Sequence, residues 1–317
     1  MTDFLQLVIA GLATGAIYAL AAIGFTLLWQ TSQTINFAQG EFVMLPAFFA
    51  LAGMKWLGLP FSLAALLAVT LAMLMLGLLF KAIIVDPLIR QGVLPLVIST
   101  IALAIFLKDG VKDIYSAEAQ PFPTILPDTV VSLLGVKVSY SAEAQPFPTI
   151  LPDTVVSLLG VKVSLAQLGV LAVALATIVA LSWFLAATRT GRQMQATAQN
   201  PAVARILGVN VERMILYTFL INAALAAMAS LLISPIYLAK FSNGETLGLA
   251  AFVAAIVGGF NQVRGAIAGG LLVGVIDNLA AAYVSTAYRQ AVPLCLLVLI
   301  ILFRPQGLLG RREERAV

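Results

Sequence analysis

Nine apolar runs, near 5–29, 42–58, 61–84, 93–108, 165–187, 214–238, 246–260, 265–285 and 290–303, occupy most of a 317-residue chain. A helix of about 17–25 such residues crosses the hydrocarbon layer of a bilayer. Only 10% of the residues are charged and the mean hydropathy is +1.03, whereas about a quarter of the residues in soluble domains are charged. The predicted fold is therefore all-α, a polytopic transmembrane helical bundle. The runs 42–58, 93–108, 246–260 and 290–303 are short, so they are expected to be broken, tilted or partly re-entrant, and the count is eight or nine spans. The first run begins almost at Met1, without a basic leader or a small-residue cleavage pattern. It reads as a retained span rather than a signal peptide.

Between two of these runs lies a basic island, residues 189–213, RTGRQMQATAQNPAVARILGVNVER. Such a segment lies outside the lipid, and its arginines assign it to the cytoplasmic side. Arg189, Arg192, Arg205 and Arg213 then share a side with Arg304, Arg311, Arg312 and Arg315 if there are nine spans and an external amino terminus. Lys108 and Lys112 fall outside. Local chemistry gives the island a shape: Asn200 suits an N-cap, Pro201 the first helical position, and Gly208 a left-handed stop. The spacing predicts a short helix from Ala202 to Leu207 in which Val203, Ile206 and Leu207 cover one face while Arg205 stays solvated. That is a docking element for a soluble partner. The calculated pI near 9.3 needs nothing beyond this topology, and no nucleic-acid binding is inferred from it.

The other long polar stretch, 109–164, is predicted to be an external loop, and it contains a perfect tandem repeat. Residues 115–139 read YSAEAQPFPTILPDTVVSLLGVKVS, and 140–164 repeat all 25 positions. Architectural repeats diverge and continue through a fold, so an in-frame duplication or a cloning artefact explains this one better. Long surface loops cost little, about 0.6 kcal/mol per doubling, and the bundle is expected to tolerate it. QPFPTILP should be extended, and TVVSLLGVKVS a small hairpin or a surface helix.

Absences narrow the chemistry. The chain has no histidine, which excludes histidine bases and histidine metal ligands, and no metal or cofactor is implied. Cys295 sits in an apolar run and reads as a packed core residue. No GxxxxGK[ST] loop is present to cradle a nucleotide phosphate. If transport is active, an ion gradient drives it or a separate ATPase binds the basic island.

Gly11 and Gly15, Gly265 and Gly269, and Gly270 and Gly274 are spaced for close helix packing in lipid. Polar residues at membrane depth are more informative. Thr34-Ile-Asn36-Phe37-Ala-Gln39-Gly40-Glu41 separates two apolar runs, and Glu41 falls in the first turn of the next helix. There a carboxylate is favoured by the dipole and can cap amides; a transport role is the alternative. Asp277 and Asn278 lie in the middle of an apolar run, where an ionisable group marks a pathway or an interhelical lock. Asn222 is a weaker candidate of the same kind.

The stretch GLATGAIYALAAIGFTLLWQTSQTINFAQGEFVML resembles the opening of the inner-membrane permeases of branched-chain amino acid ABC transporters, in which an Asn-Phe-Ala-x-Gly-Glu motif follows the first span. GRQMQATAQNPAVARILGVNVER resembles their cytoplasmic coupling segment, and FRPQGLLGRR their carboxy-terminal motif. Gln39 stands where many relatives carry histidine and Pro46 where a glycine is usual, departures that bear on substrate and on the second helix rather than on the class. The resemblance implies a single permease domain over residues 1–317, which is not itself an enzyme, in the bacterial inner membrane. It implies four kinds of partner: a second, related permease, two ABC ATPases, a periplasmic amino-acid-binding protein and the lipid. Gly191, Arg192, Asn200, Ala204, Arg205, Leu207 and Gly208 then couple to the ATPase, and transport runs by alternating access. Urea or sugar-type ABC permeases share related motifs. An ion-coupled secondary transporter would need discontinuous helices around ion sites and related halves, and a passive channel would not need the basic island.

Overall fold

A computed structural model describes residues 2–33, 35–115, 118–120, 122, 155–158, 161–285 and 291–310. All nine apolar runs are helical. Among the described residues seven helices are long and apolar enough to cross a membrane. They are α1 (Thr2–Ser32), α2 (Gln39–Leu57), α3 (Phe61–Leu88), α4 (Val93–Tyr115), α5 (Leu165–Ala187), α8 (Val211–Tyr237) and α10 (Val263–Tyr283). Two apolar helices are shorter, α9 (Asn243–Gly258) and α11 (Ala291–Phe303), and α6 (Arg189–Gln199) and α7 (Pro201–Ile206) form the basic island. The chain is a multi-pass helical membrane protein.

Two stretches of α3, Met73–Leu79 and Lys81–Val85, widen into π-helical turns. They lie alongside α8, where Gly77 packs against Leu220.

α1, α2 and α8 are mostly buried, whereas α4 has few buried residues. Small residues set this arrangement. An added Cβ at Gly15 would lie 2.8 Å from the Gly270 carbonyl oxygen, and one at Gly11 would lie 2.7 Å from the Val275 Cα. α1 therefore meets α10 backbone to backbone. The other stripe of α10 is turned to α9, with Gly265 against Gly258 and Gly269 against Ala254. The spacing read from the sequence is a packing device on two faces of one helix. Close approach of this kind replaces the hydrophobic driving force that helices lack in lipid.

The carboxy-terminal segment closes the end of α9. Leu308 N donates to Val257 O at 2.8 Å and Leu309 N to Gly258 O at 3.0 Å, satisfying carbonyls that a helix end leaves without partners. Gln30 Nε2 donates to Asn261 O at 2.6 Å, tying the last turn of α1 to the turn before α10.

Three expectations are corrected. The polar stretch does not begin at residue 109, because α4 continues to Tyr115. Its charges find partners along the helix, Lys108 on Glu245 and Lys112 over the Phe241 ring, so the helix need not stop at the first of them. Lys108 and Lys112 accordingly lie in a helix long and apolar enough to cross a membrane rather than in irregular chain. Cys295 is exposed on the chain's surface, not packed; α11 is apolar all round, so its sequence marks no inward face.

Of the repeated segment, the second copy forms a hairpin, β1 (Val155–Leu158) paired antiparallel with β2 (Val161–Ser164), with Val156 opposite Val163. Gln120 of the first copy pairs with Ala239, and Phe122 is fully buried with its ring edge-on to Phe61. Apart from Tyr115 and residues 118–119, the remainder of both copies, including most of QPFPTILP, lies outside the described residues, as does Thr34.

Candidate functional site

The Asn-Phe-Ala-Gln-Gly-Glu stretch is where the chain re-enters the bundle. α1 ends at Ser32, but Gln39, the first residue of α2, packs beside Gly24. That is eight residues before the end of α1, or roughly 12 Å along it at 1.5 Å per residue, so the Gln39 side chain reaches back to the middle part of α1. Irregular backbone at such depth is tolerated only where protein or a water-lined cavity satisfies it. Here the Asn36 side chain accepts from Ala38 N at 3.0 Å, its carbonyl accepts from Gln39 N at 3.2 Å, and Phe37 N donates to Thr100 Oγ1 of α4 at 3.3 Å. Asn36, rather than Glu41, prepares the start of α2.

Gln39 and Asn222 are brought together. Gln39 Nε2 donates to Asn222 Oδ1 at 2.7 Å, and Asn222 Nδ2 returns a bond to Gln39 Oε1 at 3.0 Å, both residues being fully buried. This reciprocal amide pair joins α2 to α8 over the face of Gly24. A few turns along, Pro46 breaks the α2 ladder, since its ring crowds the preceding turn. Ala47 N, displaced from its helical partner, donates to Ser230 Oγ of α8 at 3.0 Å.

Glu41 is 5% exposed, and its Oε2 has no hydrogen-bond partner among the described residues. The carboxylate lies on the first turn of α9, where an added Cβ at Gly244 would sit 2.7 Å from its carboxyl carbon. Beside it, on the residue after Gly244, Glu245 Oε2 contacts Lys108 Nζ at 2.7 Å. The depth follows from α4: Thr100 meets Phe37 at the foot of α2, and Tyr115 OH donates to Phe48 O at 3.1 Å. Lys108, between them, is level with the first half of α2.

Asp277 is 4% exposed and accepts a bond from Tyr18 OH of α1 at 3.1 Å. That contact crosses the Gly-lined α1–α10 seam, the arrangement of an interhelical lock. Asn278 Nδ2 donates to Gly274 O on its own helix at 3.0 Å.

The basic island folds as its caps require. Thr188 Oγ1 accepts from Gly191 N at 2.9 Å to open α6, whose Gly191, Met194 and Thr197 are buried while Arg192 is exposed. Gly191 abuts the Leu185 backbone. Asn200 Oδ1 accepts from both Ala202 N and Val203 N at 3.0 Å, Pro201 opens α7, and Gly208 stops it at φ 83°. Val203, Ile206 and Leu207 are 49%, 84% and 74% exposed, and Arg205 is exposed beside them. Ala204, in contrast, is buried and anchors the helix inward.

Sequence reasoning missed Tyr18, Thr100, Lys108, Ser230 and Glu245. Tyr18 and Ser230 are single polar groups in apolar runs, and only their distant partners give them meaning. Lys108 carried a signal, a charge four residues from another on a helix face, that was read as the end of the span.

A re-entrant helix start, a buried polar network at membrane depth and an apolar handle on a basic surface segment together define a helical membrane transport subunit. A family model described as the permease component of the branched-chain amino acid transport system matches residues 7–301. The high-affinity branched-chain amino acid transport system permease protein BraD of Pseudomonas aeruginosa is 33% identical over 322 residues, covering 99% of this chain and 98% of the relative. The high-affinity branched-chain amino acid transport system permease protein LivH of Escherichia coli is 30% identical over 322 residues, covering 99% of this chain and 98% of the relative. A probable branched-chain amino acid transport permease protein LivH of Methanocaldococcus jannaschii is 26% identical over 305 residues, 92% of this chain and 88% of the relative. The chain belongs to this permease family.

Proposed function

We propose that the chain is a membrane subunit of an ATP-driven importer of branched-chain or other hydrophobic amino acids in a bacterial inner membrane. A related permease would complete the pathway, two ATPases would dock on the cytoplasmic side, and a periplasmic binding protein would deliver cargo. The observation that carries this reading is α7: a capped, stopped helix of six residues that presents Val203, Ile206 and Leu207 outward from a basic segment. Apolar side chains so displayed outside the lipid suit a protein partner. Gly191, Arg192, Asn200, Arg205, Leu207 and Gly208 shape and present that surface, and Ala204 holds it to the bundle. When the ATPases close on ATP, α6 and α7 would move with them and switch the bundle between two packed arrangements, giving alternating access. Asn36, Gln39, Asn222, Asp277 and Asn278 hold the bundle's polar interior, and Glu41 faces the path.

The test is purification with the ATPase. Ile206→Asp places a charge in the docking surface, and Gly208→Val strains the helix stop, since a β-branched residue resists φ 83°. No atom lies within 4 Å of an added Cβ at Gly208, so the effect is on backbone conformation alone. Both variants are expected to insert normally, to lose the ATPase on purification and to lose uptake. Wild-type transport in both would show that the handle lies elsewhere.

A further inference from the structure

Glu41, Lys108 and Glu245 come from α2, α4 and α9, and they gather inside the membrane layer. Two carboxylates and one ammonium leave one negative charge over. Lys108 is satisfied by Glu245 at 2.7 Å, whereas Glu41 Oε2, on a side chain only 5% exposed, has no partner among the described residues. An ionisable group at that depth without a counter-charge is costly and marks a functional position. The site is open at its two outer residues, with the Glu41 carboxyl group buried behind them against Gly244. The Glu245 side chain is 73% exposed and that of Lys108 is 32% exposed, on a face that this chain's own helices do not cover. Below them the same face is apolar: Ile105 and Ile101 lie one and two turns from Lys108 on α4, Leu249 one turn from Glu245 on α9, and Phe37 beside them, all exposed.

We infer that this cluster reads the two charged ends of an α-amino acid: Glu41, with Glu245, takes the primary ammonium group, and Lys108 takes the carboxylate. Charge complementarity carries the assignment. A zwitterion adds its ammonium to the side with surplus negative charge and offers its carboxylate to the one cation, while the aliphatic side chain lies along the isoleucine, leucine and phenylalanine wall. Gly244 is part of the design, because any side chain there would occupy the place of the Glu41 carboxylate. The inference rests on the importer reading above and adds the residues that contact cargo.

The test uses the complete importer, with its ATPase and binding protein, in proteoliposomes. Uptake of labelled leucine, ATPase stimulation by loaded binding protein and the melting temperature are measured together. Glu41→Gln removes the charge and keeps the shape; uptake should fall roughly tenfold or more, the usual consequence of losing a charged hydrogen bond, with assembly, stimulation and melting unchanged. The double exchange Lys108→Glu with Glu245→Lys keeps an ion pair but reverses it, and should abolish uptake while melting stays near wild type. Wild-type uptake in either variant overturns the inference. So does loss of the second permease from the Glu41→Gln complex, which would mean that a partner's cation had been neutralising Glu41. If the unaltered complex shows no ATP-dependent uptake, the importer reading fails first and the inference falls with it.

Discussion

The Gln39–Asn222 pair offers a quantitative test of how the re-entrant segment is held. Both side chains are fully buried and exchange bonds of 2.7 and 3.0 Å between α2 and α8. Gln39→Met and Asn222→Leu each keep the volume and remove one partner, stranding the other amide without a bond. An orphaned buried polar group costs about 1–3 kcal/mol, so each single variant should lose about 2 kcal/mol. Interhelical hydrogen bonds within membranes have been weaker by double-mutant cycles, about 0.6 on average and up to about 1.7 kcal/mol each. Two bonds therefore set the coupling energy at about 1–3 kcal/mol. The double variant should lose about 2 kcal/mol rather than the 4 that additivity gives, since no amide is then left stranded. Reversible unfolding in mixed detergent micelles, titrated with a denaturing detergent, measures all four corners of the cycle. A coupling energy near zero would refute the argument, because the two amides would then be finding other partners.

Two further outcomes follow from contacts elsewhere in the bundle. Gly274→Val drives a side chain into the Gly15 backbone and should cost at least about 3 kcal/mol or prevent accumulation, whereas Gly110→Ala, with nothing within 4 Å of the new methyl, should stabilise α4 by about 0.5–1 kcal/mol; membrane accumulation and micelle unfolding compare them. Tyr18→Phe removes the donor to Asp277 and should lower stability by about 1–3 kcal/mol, with uptake falling only in proportion; uptake lost at unchanged stability would assign Asp277 to the pathway instead of a lock.

The positions of the apolar helices, the capped short helix of the basic segment and the glycine seams were legible in the sequence because each depends on neighbours within a turn or two. A run of apolar residues, an Asn-Pro pair followed by glycine, and glycines four apart state their geometry locally. Partnerships were not legible. Gln39 and Asn222 are 183 positions apart, and nothing near either residue says that the other will face it. Nor does an amide in an apolar run say whether it meets a protein group or water.

The same limit explains the misplaced end of α4. Hydropathy reads Lys108 as a place where the chain leaves the lipid, because it assigns each charge to its own segment. Lys108 is instead held by Glu245, on the first turn of a helix that starts at Asn243. Two irregular starts, those of α2 and α9, therefore meet at one level, with Gly40 packed on Gly244 and Gly248. Helix starts bring unpaired backbone N–H groups and a positive dipole end together, and carboxylates in their first turns, Glu41 and Glu245, answer the dipole without capping an N–H group of the helix. Once two such starts converge, their carboxylates repel, and a cation from a third helix becomes necessary; Lys108 is that cation, and it can serve only one of them fully. The unpaired carboxyl group of Glu41 is thus a consequence of how the bundle is broken, and it is the group to which the proposed ammonium contact falls.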